Sequence, residues 1–129
     1  MGRIVNIKQQ AIENDYYRHV LATGTHLQIV VMSIPPGGEV GGETHPDNDQ
    51  ALYLVEGGGK VILDGIEQPF VAGDVVLVSA GTKHNFIAAH DLPLKIITTY
   101  GPSHHPDGLI HETKAQADAE GNKQAKGAL

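Results

Sequence analysis

The chain has 129 residues, a hydrophobic content of 40%, a formal net charge of −6 and no cysteine. This length is enough for one domain with its own core, and the lack of cysteine excludes disulfides and thiolate ligands, so histidine and carboxylate must supply any metal site. The acidic balance, the lack of a basic cluster and an aromatic content of 5% argue against a nucleic-acid partner.

The first residues, MGRIVNIKQQ, contain no apolar run of signal-peptide length. No later segment reaches the apolar length that crosses a bilayer. We therefore expect a cytoplasmic protein without a membrane partner, whose ligand is a small molecule.

Eight short β-rich runs follow one another between Tyr16 and Tyr100, separated by Gly, Pro, Asn and Asp. They are YYRHVLAT, LQIVVMSI, ALYLVEG, KVILDG, EQPFVAG, DVVLVS, HNFIAA and LKIITTY. This spacing predicts an all-β sandwich or barrel. LQIVVMSI and DVVLVS are apolar on both faces, so a second sheet or a partner subunit should cover them, and we expect a homodimer. The segment QQAIENDYY lacks a sustained 3.6-residue period, so no helix is predicted there.

Polar side chains cluster just before the run ALYLVEG. Glu43 and His45 are two residues apart, so in extended backbone both side chains leave the same face. Gln50 begins the next strand, whose alternation places it on one face with Leu52 and Leu54. These side chains are costly to bury without partners, so they either belong to a solvated loop or bind something.

His84 begins a later strand, after a turn at residues 80–82, and shares a face with Phe86. Together with the first cluster it offers two imidazoles, one carboxylate and one amide oxygen. Imidazole suits iron, copper, nickel and zinc, oxygen donors extend the range to manganese, and two histidines with one carboxylate are typical of non-haem Fe(II) sites. A single histidine at a strand start is more often solvated or hydrogen-bonded, so only the combination favours a metal site.

The residues around these positions resemble the two motifs of a small single-domain cupin. The first cupin motif runs Gly, five residues, His-x-His, three or four residues, Glu, six residues, Gly. Aligned on Gly57, its Glu falls on Gln50, its second His on His45 and its first His on Glu43. Glu43 thus replaces the first histidine of the motif, and Gln50 replaces its glutamate. This combination is found among cupins that resemble the mannose-6-phosphate isomerase-like group.

The second cupin motif runs Gly, five residues, Pro-x-Gly, two residues, His, three residues, Asn. Gly73, Gly81 and His84 match it, whereas Ser79 replaces the Pro and Ala88 replaces the Asn. The phrases PPGGEVG, YLVEGGGKVILDG and AGDVVLVSAGTKHNF are also similar to cupin sequences. The resemblance covers about residues 27–100 and implies an all-β, cupin-type β-barrel, or jelly roll, as one domain over residues 1–112. A polar tail, residues 113–129, should be a frayed helix or disordered.

The resemblance also implies a divalent transition metal, with iron preferred and manganese, nickel or zinc as alternatives. Its ligands would be His45, His84 and Glu43, with Gln50 completing the set or orienting it from outside. The pocket beside it would be lined by Leu52, Leu54, Phe86, Tyr100, His105 and His111. Two functions remain open: a metalloenzyme of dioxygenase, isomerase or decarboxylase type acting on a small oxygenated molecule, or a metal- or ligand-binding cupin without turnover.

Three histidines, His104, His105 and His111, follow the last predicted strand. Their spacing matches no standard zinc pattern, and a solvated tail is favoured over a role at the site. The alternative is a lid: Tyr100 should face inward, so the segment HHPDGLIH could close the barrel mouth.

Overall fold

The computed structural model describes residues 2–127, with side chains as far as residue 120. Two helices and eight strands follow in chain order: α1 Ile7–Glu13, β1 Arg18–Thr23, β2 Gln28–Ile34, β3 Asp49–Leu63, β4 Ile66–Val71, β5 Val75–Val78, β6 His84–Ala88, β7 Leu94–Gly101, β8 Ile110–His111 and α2 Lys114–Gly127. No described helix is long and apolar enough to cross a membrane. The predicted all-β class is confirmed.

All strand pairs are antiparallel, and the strands form one curved system in the order β4-β3-β7-β2-β1-β8, with β5 and β6 also paired to β3. The long strand β3 links the two faces of the barrel, because its first half pairs with β5 and β7 and its second half with β4 and β6. The two separate runs ALYLVEG and KVILDG are therefore one strand.

Glycines allow β3 to continue where two strands were predicted. Gly57 has a φ of 106°, and a Cβ atom there would collide with the carbonyl of Pro93. A Cβ at Gly59 would collide with the carbonyl of Ile87. Neighbouring backbones approach too closely at both positions for any side chain to fit. These glycines therefore lie inside one strand that contacts its neighbours closely, and they do not form a turn.

The barrel core lies between the inner faces of the strands. It includes Val20, Val30, Met32, Ile34, Leu52, Leu54, Phe70, Phe86, Leu94, Ile96 and Tyr100. Full burial of one such aliphatic or aromatic side chain stabilises the fold by about 1.5–3 kcal/mol, so this set dominates the stability. The same period-2 alternation turns Gln50, His84 and Thr98 inward at one end of the barrel.

Two helical segments lie outside the barrel. The helix α1 was not predicted, because its seven residues bury only Ala11 and are too few to show a period. The helix α2 begins next to Thr113, whose Oγ1 accepts a hydrogen bond from the Gln116 backbone N–H at 3.1 Å, and Ala117 packs against the core. Residues 113–129 were expected to form a frayed helix or to be disordered. Most of them form the helix α2, whose start packs against the core, and residues 128–129 lie outside the described chain.

Candidate metal centre and the cleft beside it

An isolated β-bridge holds Glu43 beside His84. Each backbone N–H of the pair donates to the carbonyl of the other at 2.9 Å. The Gly81 N–H donates to the His45 carbonyl, also at 2.9 Å, and Gly81 turns the chain with a φ of 86°. Backbone hydrogen bonds therefore fix the segment that carries Glu43 and His45 against the start of β6.

The side chains of Glu43, His45 and His84 converge at this bridge. Each offers one ligand atom, and these atoms lie within 4.8 Å of one another. The two imidazole centroids are 5.2 Å apart, and Glu43 Oε2 lies 3.2 Å from His45 Nε2. That contact is close but outside hydrogen-bonding geometry, so His45 Nε2 is a buried nitrogen without a partner among the described residues.

The tautomer of His84 follows from its backbone neighbour. Its Nδ1 lies 2.9 Å from the carbonyl oxygen of Thr82. A carbonyl only accepts, so Nδ1 carries the hydrogen and Nε2 keeps its lone pair. Fixing the far nitrogen in this way is how proteins orient a histidine that ligates metal.

Gln50 presents an unpaired oxygen to the same region. It is 4% exposed, and its Nε2 donates to Thr98 Oγ1 at 3.0 Å. Its Oε1 is buried without a partner in the described chain, and Gln50 lines a small inner void of about 10 Å³ together with Glu43 and His84. A void of this size is about one water molecule or ion across.

The surroundings of Glu43 and His84 favour an ionised carboxylate on Glu43 and a neutral imidazole on His84. Burial by itself raises the pKa of Glu43, but the close contact with His45, the charge of His45 and the charge of Arg18 outweigh it, and the net pKa lies below the usual range. Burial lowers the pKa of His84, since the charged ring would lose its hydration. Both groups are therefore in the protonation state that a metal requires.

These residues fit a divalent transition metal. The buried Gln50 Oε1 lacks an electropositive partner among the described residues, and Glu43 and His84 line the same void. His45 Nε2, which makes no hydrogen bond, lies within 4.8 Å of the ligand atoms of Glu43 and His84. Three ligand atoms that share one ion at about 2.1 Å lie about 3.0–3.4 Å apart. The three atoms here already lie within 4.8 Å of one another, so side-chain adjustment alone can close them onto an ion. Without a thiolate, this set is suited to iron, manganese, nickel or zinc with open coordination positions.

A cleft of about 500 Å³ opens from this cluster to the surface. It is lined by Tyr17, Arg18, Glu43, His45, His104, His105, Pro106, Leu109, His111, Ala117, Asp118 and Glu120. The barrel supplies its floor, and its walls come from residues 104–111, called the mouth segment below, and from the start of α2. The cleft is large enough for a small organic molecule in contact with the metal ligands.

A buried glutamine tethers the mouth segment. Gln28 is fully buried; its Oε1 accepts from the backbone N–H groups of His104 and His105 at 3.1 and 3.0 Å, and its Nε2 donates to the His105 carbonyl at 2.7 Å. Three hydrogen bonds from one side chain hold this turn across the end of the barrel. The segment therefore occupies the position that the lid hypothesis requires.

His104 lies closer to the cluster than the other mouth histidines. Its ring is 4.3 Å from that of His45 and stacks on Tyr100 at 5.2 Å. Asn48 Nδ2 donates to the Pro102 carbonyl at 2.6 Å, so Asn48 Oδ1 accepts from His104 Nδ1 at 3.0 Å. His104 Nε2 is therefore left with a lone pair at the edge of the cleft.

The structure separates the predicted pocket residues into three groups. Leu52, Phe86 and Tyr100 line the inner void. His105 and His111 line the outer cleft, whereas Leu54 is fully buried in the core and lines neither cavity. Leu54 follows Leu52 by two positions in β3, so its side chain lies deeper in the barrel and does not reach the open end.

Sequence reasoning missed several cleft residues. Arg18 starts β1, a run without a motif, and only its pairing with the two-residue strand β8 brings it to the cleft. Asp118 and Glu120 lie in the polar tail, yet the order Thr113-x-x-Gln116 matches a helix capping box and was a usable signal for α2. His104 had the same sequence signal as His105, and its contacts with His45 and Asn48 distinguish it.

Comparison with known proteins identifies the class. The family model described as Cupin domain matches residues 30–100, so the chain belongs to the cupin domain family. The crystal structure of BH2720 from Bacillus halodurans superposes with a TM-score of 0.89 at 38% identity, covering 92% of this chain and 95% of that one. The predicted small single-domain cupin is confirmed.

Two further relatives bear on function. YrkC of Bacillus subtilis (strain 168), an uncharacterised protein, is 37% identical over 122 residues, which are 90% of this chain and 66% of YrkC. A predicted oxalate decarboxylase of Thermotoga maritima superposes with a TM-score of 0.56 at 25% identity, covering 59% of this chain and 66% of that one. These matches fix the fold and leave the reaction to be argued from the site.

Proposed function

We propose that this cupin binds a divalent transition metal through Glu43, His45 and His84, with Gln50 Oε1 as a fourth donor. The observation that carries the proposal is the convergence of one carboxylate and two imidazoles, whose ligand atoms lie within 4.8 Å of one another, beside Gln50 Oε1, which is buried without a partner among the described residues. Burying a polar atom without a hydrogen bond costs about 1–3 kcal/mol, and an ion bound beside Gln50 Oε1 would remove that cost. The donor set favours iron, with manganese, nickel and zinc as competitors.

We further propose that the protein is a metalloenzyme for a small oxygenated organic molecule bound in the cleft. The metal would polarise a substrate oxygen as a Lewis acid or, as iron, would support dioxygen chemistry of the oxygenase, isomerase or decarboxylase classes. The likeness to a predicted oxalate decarboxylase supports the last class.

The chain's own residues position the substrate and handle protons. The mouth segment narrows the entrance and limits water around the metal ligands. His104 supplies a proton acceptor at Nε2, because burial and the charges of His45 and Arg18 lower its pKa to about 4 and keep the ring neutral near pH 7. Tyr100 would serve as an apolar wall, since burial raises its pKa far above neutrality.

The second candidate is a cupin that binds metal or ligand without turnover. It is favoured by the exposure of the cleft, where the half-buried Glu43 and the exposed His104 remain in reach of solvent. Metal content decides the first part of the proposal and turnover the second. Untagged protein loaded with Fe(II), Mn(II), Ni(II) or Zn(II) should convert one of a panel of sugars, β-diketones and small acids, and His84→Ala should abolish conversion; stoichiometric metal without turnover would establish the second candidate.

We also propose a homodimer. Tyr53, Val75 and Leu77 are 42%, 64% and 69% exposed. They lie on the outer face of the paired strands β3 and β5, where Tyr53 pairs directly with Val75. A cluster of large apolar side chains on one sheet face is typical of a protein interface.

A further inference from the structure

Arg18 is a buried cation beside the metal ligands. It starts β1 and faces His111 across the β1–β8 pair. It is 6% exposed and lines both the inner void, with Gln50 and His84, and the outer cleft, with His45. Its guanidinium therefore lies between the candidate metal centre and the space where a substrate would enter.

The guanidinium has one hydrogen bond from a group with five donors. Its Nη1 lies 3.0 Å from His111 Nδ1. Arginine only donates, so His111 Nδ1 accepts and the ring hydrogen is on Nε2, which donates to Glu120 Oε2 at 2.8 Å. The ring of His111 thus lies between the guanidinium and Glu120. Because this ring is neutral, it cannot compensate the charge of Arg18.

No ion pair involves Arg18 within the described residues, and its Nε is buried without a hydrogen-bond partner. Its other contact is with the ring of Tyr17, at 5.2 Å from the centroid. Buried arginine is nearly always paired, because an uncompensated charge in a low-dielectric site is strongly destabilised. Glu43 lines the same void and cleft but forms no ion pair with Arg18, so the guanidinium can bind an anion from outside the chain.

The other charges of the cleft leave this role to Arg18. Asp118 pairs with Lys114 at 2.7 Å, and Glu120 accepts from His111. Glu43 would be neutralised by the metal it holds. With metal bound, the inner end of the cleft would then carry the ion and the guanidinium as two adjacent positive centres, which favours an anionic ligand.

We propose that Arg18 binds the carboxylate of a small 2-hydroxy or 2-oxo acid. The two Nη groups of a guanidinium form a planar fork that matches the two oxygens of a carboxylate, and they are the donors available here because Nε is buried. The hydroxyl or oxo oxygen of such an acid, on the carbon next to the carboxylate, would face the metal. This inference names the substrate class of the proposed metal site and rests on that site for the second contact, whereas the carboxylate contact rests on Arg18 alone.

The test compares an acid with its neutral amide on the full-length, Zn(II)-loaded protein. Isothermal titration calorimetry with L-lactate and L-lactamide should give at least about tenfold tighter binding of lactate, the difference expected for a charge-assisted hydrogen-bonded pair. Inorganic phosphate is titrated in parallel and should bind more weakly than lactate. Equal binding of lactate and lactamide, absence of lactate binding or tighter binding of phosphate would overturn the proposal.

Variants assign the effect to the residue. Arg18→Gln should lose at least about tenfold in lactate affinity and retain zinc affinity, Arg18→Lys should lose less, and the exposed Arg3→Gln should change neither. Unchanged lactate affinity in Arg18→Gln, or parallel loss of zinc and lactate, would contradict the assignment. The acid and amide comparison needs no variant, so it decides the matter even where Arg18→Gln fails to fold. An error in the proposed metal site would be detected separately: zinc affinity would then be unchanged in His84→Ala.

Discussion

Glu43 and His84 exchange both backbone hydrogen bonds at 2.9 Å, although they lie 41 positions apart in the chain (84 − 43). This bridge brings a carboxylate and an imidazole to the same side of the barrel end. His45 joins them because it follows Glu43 by two residues in extended backbone. The candidate metal centre is therefore a consequence of strand pairing and side-chain alternation, and its chemistry can be tested residue by residue.

The carboxylate of Glu43 should be needed for metal affinity. Glu43→Gln removes the negative charge with little change in shape, and we expect the affinity for Zn(II) or Mn(II) to fall at least about tenfold. Chelator competition measures the loss. Glu39→Gln is the matched control, because Glu39 forms the equivalent isolated bridge to Ile87 but is exposed. Equal affinity in both variants would remove Glu43 from the ligand set.

Restoring the family's acidic residue at Gln50 should have two opposite effects. Gln50→Glu places a second carboxylate beside Glu43, so the metal-free protein should lose about 1–3 kcal/mol in the free energy of unfolding, since like charges at one site repel. The metal-loaded protein should bind its ion more tightly, because a carboxylate is a stronger donor than an amide. Urea unfolding with and without metal measures both effects, and Gln10→Glu on the exposed face of α1 is the control. Weaker metal binding in Gln50→Glu would show that Gln50 contributes no ligand atom.

The tether at Gln28 should control access to the cleft. Gln28→Leu removes three hydrogen bonds to the turn at His104 and His105, worth about 0.5–1.5 kcal/mol each. We expect faster proteolysis and faster amide hydrogen exchange across residues 103–108, with the rest of the barrel unchanged. Gln9→Leu on α1 is the surface control. Unchanged proteolysis and hydrogen exchange in Gln28→Leu would exclude this tether. If the metal affinity of Gln28→Leu were unchanged as well, the lid hypothesis would be excluded.

The metal-free protein should lose stability on mild acidification. Burial holds the pKa of His105 well below its usual range, and burial together with His45 and Arg18 lowers that of His104 to about 4. The folded state thus favours the neutral rings, so their contribution is complete above the unfolded pKa of about 6.5 and falls as the pH drops from 6.5 towards 4. The pKa of Glu43 is also lowered, but its contribution is lost only below this window.

Urea unfolding between pH 8 and pH 4.5 in the presence of a chelator measures this dependence. The free energy of unfolding should be flat at high pH and then decline, by up to about 1.4 kcal/mol per pH unit from the half-buried His105 and by less from His104, which solvent reaches. His105→Asn should reduce the slope, whereas the exposed His26→Asn should not. A stability that is constant or rises as the pH falls from 6.5 would contradict the assignment of neutral, buried rings.

The apolar face of β3 and β5 should mediate self-association. Leu77→Lys places a charge in the centre of this face, where Leu77 is 69% exposed, and is expected to convert a dimer into a monomer with little change in the thermal midpoint of the barrel. Sedimentation velocity measures the mass. Ile66→Lys, at a 64% exposed position on β4, is the control. A monomeric wild type would disprove the dimer.

The barrel and the position of the Glu43, His45 and His84 cluster could be predicted from the sequence because both depend on local signals. Alternation placed Gln50 and His84 on inward faces, and the glycine spacing around Gly57 and Gly81 carried the family resemblance. These signals act over a few residues, and the strand pairing of the family brings them together. The Glu43-x-His45 pattern defined the carboxylate and one imidazole without knowledge of any contact.

Apart from His105 and His111, the lining of the cleft could not be predicted, because long-range contacts create it. Arg18 is separated from His111 by 93 positions, and a pairing of only two residues in β8 joins them. The start of α2 packs through Ala117, a single small side chain that leaves no period in a polar segment. The histidines of the mouth segment looked like a solvated tail because nothing in their own spacing shows that Gln28 holds them over the barrel end.

The most direct test of the central claim is the position of the metal in a crystal of the full-length protein. Data collected above and below the absorption edge of iron or zinc should show one anomalous peak among the side chains of Glu43, His45 and His84, in contact with Gln50 Oε1. An anomalous map without a peak there from stoichiometrically loaded protein, or with the ion bound elsewhere, would contradict the proposed metal centre.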